Sequence, residues 1–556
     1  DRKEDGTFAF DENGEPYDYN GDGLVENLIA DPQNDTNGWF HGLGDRGDDS
    51  SRYGYRYKDL GSLADFSQEN QNVAAYLEQA TLFWADMGVN GIRHDATLHM
   101  DAAFAKGLKD AVDSHNTITQ FGEFFIGRPD PKYDEYVYFP KQTGINNLDF
   151  EFYRAASATF GDFSTTMADF GNMLQYTQDD YDYENQAVTF LDNHDVTRFG
   201  YTQRSQKTYN AALATLLTSR GVPNIYYGTE QYVVPADGSD VSGRIFMQTD
   251  SSFDTDTTAY KLIGKLSELR QQNDAIAYGT TTIRYSNDDV LIYERKFYDD
   301  VILVAINRQP DKAYTIDNVE TLLPEGEYVD FLGGMLNGEN ISVYASTGIN
   351  TTASITLDGG EVGIWQYDAA ANAPEIGNVV STMGRAGNRV YIYGDGLDGN
   401  ISVKFGETEA TVESNTANEI VTYVPDNAVA GYNDITVTKG DAVSNSFTYN
   451  VLSGDQNQVI FHVKAETSYG ENIYIVGNVP ELGSWNPDKC TEALLNPNYP
   501  EWFLPVSVPA GTEIQFKFIK KDANGTVTWE SGDNRVITSS SLSAGTVDTE
   551  VYTWRN

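Results

Sequence analysis

Acidic side chains follow three short apolar segments of this sequence. Asp95 lies in the segment GIRHDA, Glu123 in QFGEFF, and Asp192 and Asp195 in TFLDNHD. If these segments are parallel strands, their carboxyl ends meet at one mouth of a barrel and the carboxylates form one cluster. Two convergent carboxylates are what glycosidic-bond cleavage requires, since one protonates the leaving oxygen and the other attacks the sugar carbon or activates water. Each acid taken alone could instead cap the helix that follows its strand.

The strand that carries Asp95 also carries a fixed positive charge. Arg93 lies two residues earlier, on the same strand face, where it would keep the Asp95 carboxylate ionised as a nucleophile. From about residue 70 to 270, short apolar segments alternate with amphipathic stretches such as VAAYLEQATLFWADM, which predicts a parallel sheet covered by helices. Beyond residue 275, alternating segments such as VLIYERKF and EVGIWQY predict antiparallel sheets.

Composition limits the classes of partner. The 556 residues include 83 acidic and 37 basic side chains, a formal net charge of −46 that disfavours nucleic acid and anionic membranes. Cys490 is the single cysteine, so no intrachain disulfide can form. No apolar run approaches the roughly 18 residues of a spanning helix. We expect a monomer that is secreted, with its signal peptide absent from this sequence.

Three motifs carry a resemblance to a known family. GIRHDATLHM, FGEFFIG and FLDNHDVTRF resemble, in the right order, the second, third and fourth conserved regions of the α-amylase family, glycoside hydrolase family 13. The resemblance is greatest to its cyclodextrin glucanotransferase and maltogenic amylase branch. It implies that Asp95 is the nucleophile, Glu123 the general acid/base and Asp195 the transition-state stabiliser, and that Arg93 and His194 contact the sugar that is cleaved. A retaining mechanism then requires about 5–5.5 Å between the first two carboxyls.

Further residues match the sugar-binding positions of that family. His99 matches a residue that lines an acceptor subsite, although a helix-surface histidine is the alternative. Phe125 matches an aromatic residue that borders the acceptor sugars, and a core phenylalanine is about as plausible from sequence alone. Asp240 and Arg244, in DGSDVSGRI, resemble a donor-side pair that hydrogen-bonds glucose hydroxyls.

Two departures from the family pattern bear on the reaction. Cyclising relatives place a large aromatic ring at the centre of the site, where this sequence has Gly61, and Leu98 replaces the lysine beside the acceptor histidine. Without the ring a glucan has nothing to curl around, so we expect endo-hydrolysis of α-1,4-glucosidic bonds. The alternatives are a cyclodextrin-forming transferase and a non-catalytic starch-binding protein.

The resemblance also implies an incomplete barrel. The first conserved region and the first three barrel strands are missing, so we expect this sequence to be part of a longer protein. The fold class expected is a multidomain chain, with an α/β (TIM) barrel lacking its N-terminal strands followed by three all-β domains. The expected units are residues 1–62 (remnant of the inserted loop domain), 63–274 (barrel strands four to eight), 275–371 (antiparallel β domain), 372–452 (immunoglobulin-like spacer) and 453–556 (starch-binding domain).

Structural calcium is expected in the loop-rich N-terminal part. The segment DYNGDGLVE has the alternate oxygen spacing of a calcium loop, and a solvated turn is the alternative. Its candidate ligands are Asp18, Asn20, Asp22 and Glu26. By resemblance, Asp65 and the backbone carbonyl of His99 form a second candidate site that ties the loop domain to the barrel.

The last unit resembles a family 20 starch-binding module, through IYIVGNVPELGSWNP and FKFIKKDANGTVTWESGDN. The resemblance implies that Trp485 and Trp529 stack on glucose rings beside Lys517 and Asn534, and that Tyr499 belongs to a second site. The expected partners are therefore starch, amylose and malto-oligosaccharides.

Overall fold

The computed structural model describes residues 35, 38–203, 205–250, 252–541 and 545–556. Its first part is an α/β unit. The helices of this unit are α1 (Arg52–Tyr57), α2 (Gln71–Asp86), α3 (Ala102–His115), α4 (Tyr133–Thr143), α5 (Phe150–Ala156), α6 (Met167–Asp180), α7 (Phe199–Thr202), α8 (Gln206–Thr218), α9 (Asp240–Gly243), α10 (Met247–Asp250), α11 (Thr258–Gln272) and α12 (Asp274–Tyr278). Its strands are β1 (Gly91–His94), β2 (Thr119–Gly122), β3 (Asn146–Asn147), β4 (Val188–Phe190) and β5 (Val222–Asn224).

These five strands run parallel and follow one another in chain order. β1 pairs with β2 and β2 with β3, a parallel bridge joins Leu148 to Val188, and β4 pairs with β5. Local sequence sets the helix starts, because the side chain of Asn70 caps α2 and Thr166 forms a capping box with Asp169 at the start of α6. The expected alternation of strands and helices is confirmed.

All-β units follow, also as expected. The first contains β6 (Thr280–Ser286), β7 (Val290–Phe297), β8 (Asp300–Asn307), β9 (Tyr314–Ile316), β10 (Glu320–Thr321), β11 (Gly326–Tyr328), β12 (Ile341–Tyr344), β13 (Asn350–Thr352), β14 (Ile355–Leu357) and β15 (Val362–Tyr367). Antiparallel sheets form here in the orders β15-β8-β7-β6, β10-β13-β12-β11 and β14-β9. Helix α8 is buried on every side because it packs into the core shared by the barrel and this unit.

An immunoglobulin-like unit comes next, which we call the Ig-like unit. It contains β16 (Glu375–Val380), β17 (Met383–Arg385), β18 (Arg389–Asp395), β19 (Ile401–Phe405), β20 (Thr408–Ala410), β21 (Val412–Asn415), β22 (Glu419–Tyr423), β23 (Gly431–Lys439), β24 (Ala442–Val443) and β25 (Phe447–Leu452). One sheet has the order β16-β18-β22-β21 and the other β17-β25-β23-β19-β20, with β24 on β23.

The C-terminal unit is a further pair of four-stranded sheets. It contains β26 (Gln456–Lys464), β27 (Asn472–Gly477), β28 (Leu495–Asn498), β29 (Glu501–Pro509), β30 (Glu513–Lys521), β31 (Val527–Trp529), β32 (Arg535–Thr538) and β33 (Thr546–Thr553). The orders are β28-β29-β26-β33 and β27-β30-β31, with β32 on β30. Within the described ranges, the helices are too short or too polar to cross a bilayer.

The β units are fixed to the barrel by buried charges. Arg56 of α1 is buried and pairs with Glu135 of α4 and with Glu492 of the C-terminal unit, each at 3.1 Å. Lys109 of α3 is buried against the Ig-like unit and donates to the backbone carbonyl of Met383 at 3.1 Å. Separating the units would remove both arginine partners of Glu492, which lie in α1, and this cost favours the joined arrangement.

Candidate active site

The three predicted catalytic carboxylates lie around one guanidinium. Arg93 places Nη1 2.6 Å from Asp95 Oδ1, and its Nη2 lies 3.2 Å from Glu123 Oε2 and 3.8 Å from Asp195 Oδ2. The strand pattern explains this, since β1 and β2 are paired in register with Arg93 opposite Phe121, and Asp95 and Glu123 follow their ends. The intervening His94 points the other way, is buried, and shares a 2.9 Å hydrogen bond with Gln120.

Backbone geometry beside the nucleophile position was not predicted from sequence. Ala96 has a φ of 50°, a left-handed conformation that is uncommon for alanine. This turn directs the Ala96 N–H to Glu123 Oε2, at 3.4 Å. Strained backbone of this kind is common at functional sites, and no sequence signal marks it when the residue is alanine.

The two central carboxyls have different environments. The Asp95 side chain is 74% exposed and that of Glu123 only 13%. Burial raises the pKa of Glu123, and the negative charge of Asp95 raises it further against the opposing charge of Arg93. For Asp95, the hydrogen bond and charge of Arg93 outweigh partial burial and hold the pKa below its usual value. Both carboxyls contact the same guanidinium, so they lie close to one another, as a retaining mechanism requires.

Asp195 is held by two further predicted residues. Its Oδ2 lies 2.9 Å from His194 Nε2 and its Oδ1 lies 3.0 Å from Arg244 Nη2. Arg244 also pairs with Asp240 at 3.2 Å and donates from Nε to the His194 carbonyl at 2.9 Å. The loop that follows β4 and helix α9 therefore meet at one point of the site.

One strand-end acid does not join the cluster. The prediction that Asp192 belongs to the cluster of catalytic carboxylates is wrong. Its side chain is buried and accepts a 2.8 Å hydrogen bond from the N–H of Phe199, the first residue of α7. A carboxylate at a helix N-terminus satisfies an unpaired N–H, which is the alternative role considered for each acid.

The two predicted acceptor-side residues border the carboxylates. His99 lies against α1, with Nδ1 2.9 Å from the carbonyl of Tyr55, and burial lowers its pKa against the charge of Asp95. Phe125 is exposed and rests edge-on against Phe150, with ring centroids 4.2 Å apart, so its ring can receive a sugar. Leu98, by contrast, is buried in the barrel core.

The Gly61 position is open. The residue lies in an exposed turn with a φ of 63°, and a Cβ atom there would meet nothing within 4 Å. Its N–H donates to Asp45 Oδ1 at 3.0 Å.

The predicted calcium ligands receive little support from the described side chains. Asp65 lies 2.7 Å from His41 Nδ1, and the other ring nitrogen lies 2.9 Å from Glu69. Although burial alone would lower it, these two carboxylates raise the pKa of His41 to about 10, so a protonated imidazole balances one of their two negative charges. Among the described residues, no three His, Cys, Asp or Glu side chains are grouped as metal ligands. The loop of Asp18, Asn20, Asp22 and Glu26 lies outside the described residues.

The predicted starch-contacting residues of the first site lie on or beside the sheet formed by β27, β30, β31 and β32. Trp529 is 42% exposed at the end of β31, and Lys517 of β30 donates to the carbonyl of its neighbour Glu530 at 3.2 Å. Asn534 is exposed and bonds to Gln515 at 3.3 Å, while Trp485 is half-buried in the turn after β27.

A second exposed tyrosine lies in the loop that contacts Tyr499, the predicted second starch site. Tyr499 is exposed, and its hydroxyl accepts from the N–H of Thr467 at 2.9 Å. Tyr469, two residues along that loop, is fully exposed. A tyrosine within a polar loop (TSYGEN) is the signal by which the sequence could have identified it.

Comparison with known proteins covers nearly the whole chain. Family models match residues 25–244 (α-amylase, catalytic domain), 284–368 (α-amylase, C-terminal all-β domain), 374–452 (IPT/TIG domain) and 456–549 (starch binding domain). The cyclomaltodextrin glucanotransferase of Thermoanaerobacterium thermosulfurigenes is 45% identical over 551 residues, 98% of this chain and 74% of that protein. A cyclomaltodextrin glucanotransferase of Paenibacillus macerans is 43% identical over 559 residues, 99% of this chain and 75% of that protein.

Solved structures give the same result. The crystal structure of γ-CGTase from alkalophilic Bacillus clarkii superposes with a TM-score of 0.86 at 40% identity, covering 94% of this chain and 77% of that one. A cyclomaltodextrin glucanotransferase with a three-domain ABC distribution superposes with a TM-score of 0.58 at 36% identity, covering 61% of this chain and 68% of that one.

Proposed function

Because the chain belongs to the α-amylase family, we propose that it is a retaining glucanotransferase that converts starch into cyclic dextrins. The observation that carries this proposal is the similarity to cyclomaltodextrin glucanotransferases along 98% of the chain, at 45% identity. It favours the transferase over plain hydrolysis, the reaction that Gly61 by itself predicts. The family itself acts on glycosidic bonds, and the carboxylates around Arg93 suit that chemistry.

The proposed reaction has two steps. In the first, Glu123 donates its proton to the leaving glycosidic oxygen while an Asp95 oxygen bonds to the sugar carbon, which forms a covalent glycosyl-enzyme. In the second, ionised Glu123 removes a proton from an acceptor hydroxyl, whose oxygen bonds to the same carbon and releases Asp95. The 4-hydroxyl of the same glucan gives a cyclic product, that of another chain gives transfer, and water gives hydrolysis.

Hydrolysis is a second candidate reaction, and one specific observation favours it. The position where cyclising relatives carry a ring is Gly61, with open space beyond its Cα. A glucan then lacks a surface to wrap around, and water reaches the glycosyl-enzyme more easily. We therefore expect a larger share of linear products than a ring at this position would give.

Product analysis separates these candidates. Soluble starch is incubated with the protein, and cyclic and linear dextrins are resolved by chromatography over time. Cyclic dextrins as early products would support the transferase, and linear dextrins alone would refute it in favour of hydrolysis. Glu123→Gln is the control, and equal product formation by that variant would refute both.

A substitution at Gly61 tests the role of the open position. Gly61→Tyr restores a ring, and Gly61→Ala imposes the same backbone strain without one. We expect a higher ratio of cyclic to linear products only for the tyrosine variant. An unchanged ratio would show that this position does not set the choice of acceptor.

Starch binding by the C-terminal unit completes the proposal. Trp485, Trp529, Lys517 and Asn534 would hold one glucan segment, and Tyr499 with Tyr469 a second. A granular polymer cannot cross a membrane, so we propose that the protein acts outside the cell, as a monomer.

We also propose that structural calcium binds at the N-terminal loop and near Asp65. The described side chains do not form a site by themselves, so backbone carbonyls and loop oxygens would have to contribute. Calcium added to chelated protein should raise the melting temperature, and an unchanged value would contradict the proposal.

A further inference from the structure

A large cleft separates the barrel, the Ig-like unit and the C-terminal unit. Its volume is about 800 Å³, within the range of about 300–1,000 Å³ that is usual for ligand sites, which often lie between domains. Six residues that line it are Tyr138, Gln142, Tyr432, Asn450, Ser484 and Asn486. The first two belong to α4, the next two to β23 and β25, and the last two to the turn after β27. We call this space the interdomain cleft.

The walls of the interdomain cleft are fixed in place. Two contacts outside the cleft lining join the barrel to the C-terminal unit. Arg52 of α1 donates to the carbonyl of Ala493 at 2.6 Å, and Gln458 of β26 donates to the carbonyl of Gln68 at 3.2 Å. The pairing of Arg56 with Glu492 adds a buried ion pair. A preformed cleft loses little conformational entropy when a ligand enters, which favours binding.

Two aromatic rings face the cleft from different domains. Tyr138 and Tyr432 are 45% and 47% exposed although they lie between domains. The Nζ atom of Lys141 is 5.9 Å from the centre of the Tyr432 ring and is held at 2.7 Å by Asp182. Burial raises the pKa of both phenols, so both remain neutral hydroxyl donors near neutral pH.

The remaining lining is that of a site for a neutral polyol. Amide and hydroxyl side chains such as Gln142, Asn450 and Ser484 can donate to and accept from sugar hydroxyls. Three lysines and three carboxylates also line the cleft, so neither sign of charge dominates: Lys106, Lys141, Lys489, Glu481, Asp488 and Glu492. An anionic ligand would in addition meet a chain with a net charge of −46.

The cleft adjoins one of the predicted starch contacts in sequence. Ser484 and Asn486 flank Trp485 in sequence and line the cleft. We propose that the interdomain cleft binds a segment of α-1,4-linked glucan, with Tyr138 and Tyr432 stacking on its sugar rings. The proposal rests on the proposed function only in the choice of ligand. It gives the Ig-like unit a share in substrate binding through Tyr432 and Asn450.

Binding of maltoheptaose tests the proposal in a chain that does not turn it over. The background variant carries Glu123→Gln, Trp529→Ala and Tyr499→Ala, and calorimetry measures sites and affinity. Adding Tyr138→Ala and Tyr432→Ala should remove one site or weaken it by about tenfold or more. The matched control is Tyr344→Ala, which removes an equally exposed tyrosine of β12. Unchanged stoichiometry and affinity in the double tyrosine variant would overturn the proposal.

A second variant keeps the test independent of folding. Gln142→Trp places a bulky ring in the cleft from the regular backbone of α4, and should also weaken the site while the melting temperature stays close to that of the background variant. Unchanged binding in Gln142→Trp would overturn the proposal even if the tyrosine variants unfold. Failure of the proposed function is recognised separately, because product formation from starch is measured with intact Glu123 and does not depend on these substitutions.

Discussion

Replacing Arg93 by leucine should move the pH profile of the reaction upward. Activity requires ionised Asp95 and protonated Glu123, so it rises as pH passes the first pKa and falls as pH passes the second. The Arg93 charge, 2.6 Å from Asp95 and 3.2 Å from Glu123, lowers both values. An opposite charge at such distances shifts a pKa by about 1–3 units, and the 74% exposure of Asp95 places its shift at the lower end.

We therefore expect both limbs of the profile for Arg93→Leu to move up by about one pH unit. The maximal rate should fall by about 100-fold, because the group that aligns the carboxylates is lost. The assay is the initial rate of product formation from soluble starch between pH 3 and 10. Arg244→Leu is the matched control, since Arg244 contacts Asp195 but neither central carboxyl, and its limbs should stay in place. Limbs of Arg93→Leu that stay fixed, or that move to lower pH, would refute this reasoning.

Three further predictions concern stability and starch binding. Arg220→Met should lower the free energy of unfolding, measured in urea, by about 3–5 kcal/mol, because the fully buried Asp149, 2.6 Å away, would lose its charged partner. Adding Asp149→Asn to that variant should recover part of the lost stability, and no recovery would contradict the explanation. Burial and neighbouring carboxylates raise the pKa of Asp274 from 3.8 to about 7. The protonated Asp274 carboxyl therefore favours the folded state at a pH below 3.8, and this contribution is lost as the pH rises through about 7. Asp274→Asn should raise the melting temperature at pH 8 and not at pH 3, and an equal effect at both pH values would contradict the shift. Trp529→Ala should weaken adsorption to raw starch about tenfold without slowing turnover of a soluble glucan, and unchanged adsorption would exclude a stacking role.

The sequence predicts the fold class because its signals are local. Alternating apolar segments and amphipathic stretches specify strands and helices within about 15 residues, and parallel strands bring their carboxyl ends together. The positions of Asp95 and Glu123 at such ends could be read in this way. The role of Asp192 could not be predicted, because a strand-end acid that caps a helix has the same sequence context as one that faces the active site.

Contacts between distant parts of the chain could not be predicted. The ion pair of Arg56 with Glu492 joins residues 436 positions apart, and the contact of His41 with Asp65 joins residues 24 positions apart. Periodicity contains no information on such pairs. The choice between hydrolysis and cyclisation is also hard to predict from sequence, since competing acceptors at the glycosyl-enzyme need differ by only about 1.4 kcal/mol for a tenfold change in product. Gly61 is one contribution to that difference, and the similarity to glucanotransferases along the chain favours the transferase.

Environment assigns different roles to the two central carboxyls, which are chemically alike. Asp95 is exposed in the active site and in contact with Arg93, so it keeps its negative charge. Glu123 is enclosed and faces the charge of Asp95, so it keeps its proton to a higher pH. Exchanging the two side chains between these positions would therefore not exchange their roles, because the position and not the residue type sets each pKa.

The charges around these groups also favour the transition state over the bound substrate. Asp95, Asp195 and Asp240 contribute three negative charges, and Arg93 and Arg244 contribute two positive ones, all linked by contacts of 3.8 Å or less. One net negative charge remains beside the sugar. A neutral glucan gains little from it, whereas the positive charge that develops on the sugar ring during bond cleavage is stabilised directly. Neutralising Asp195 alone should therefore reduce the rate far more than it reduces glucan affinity.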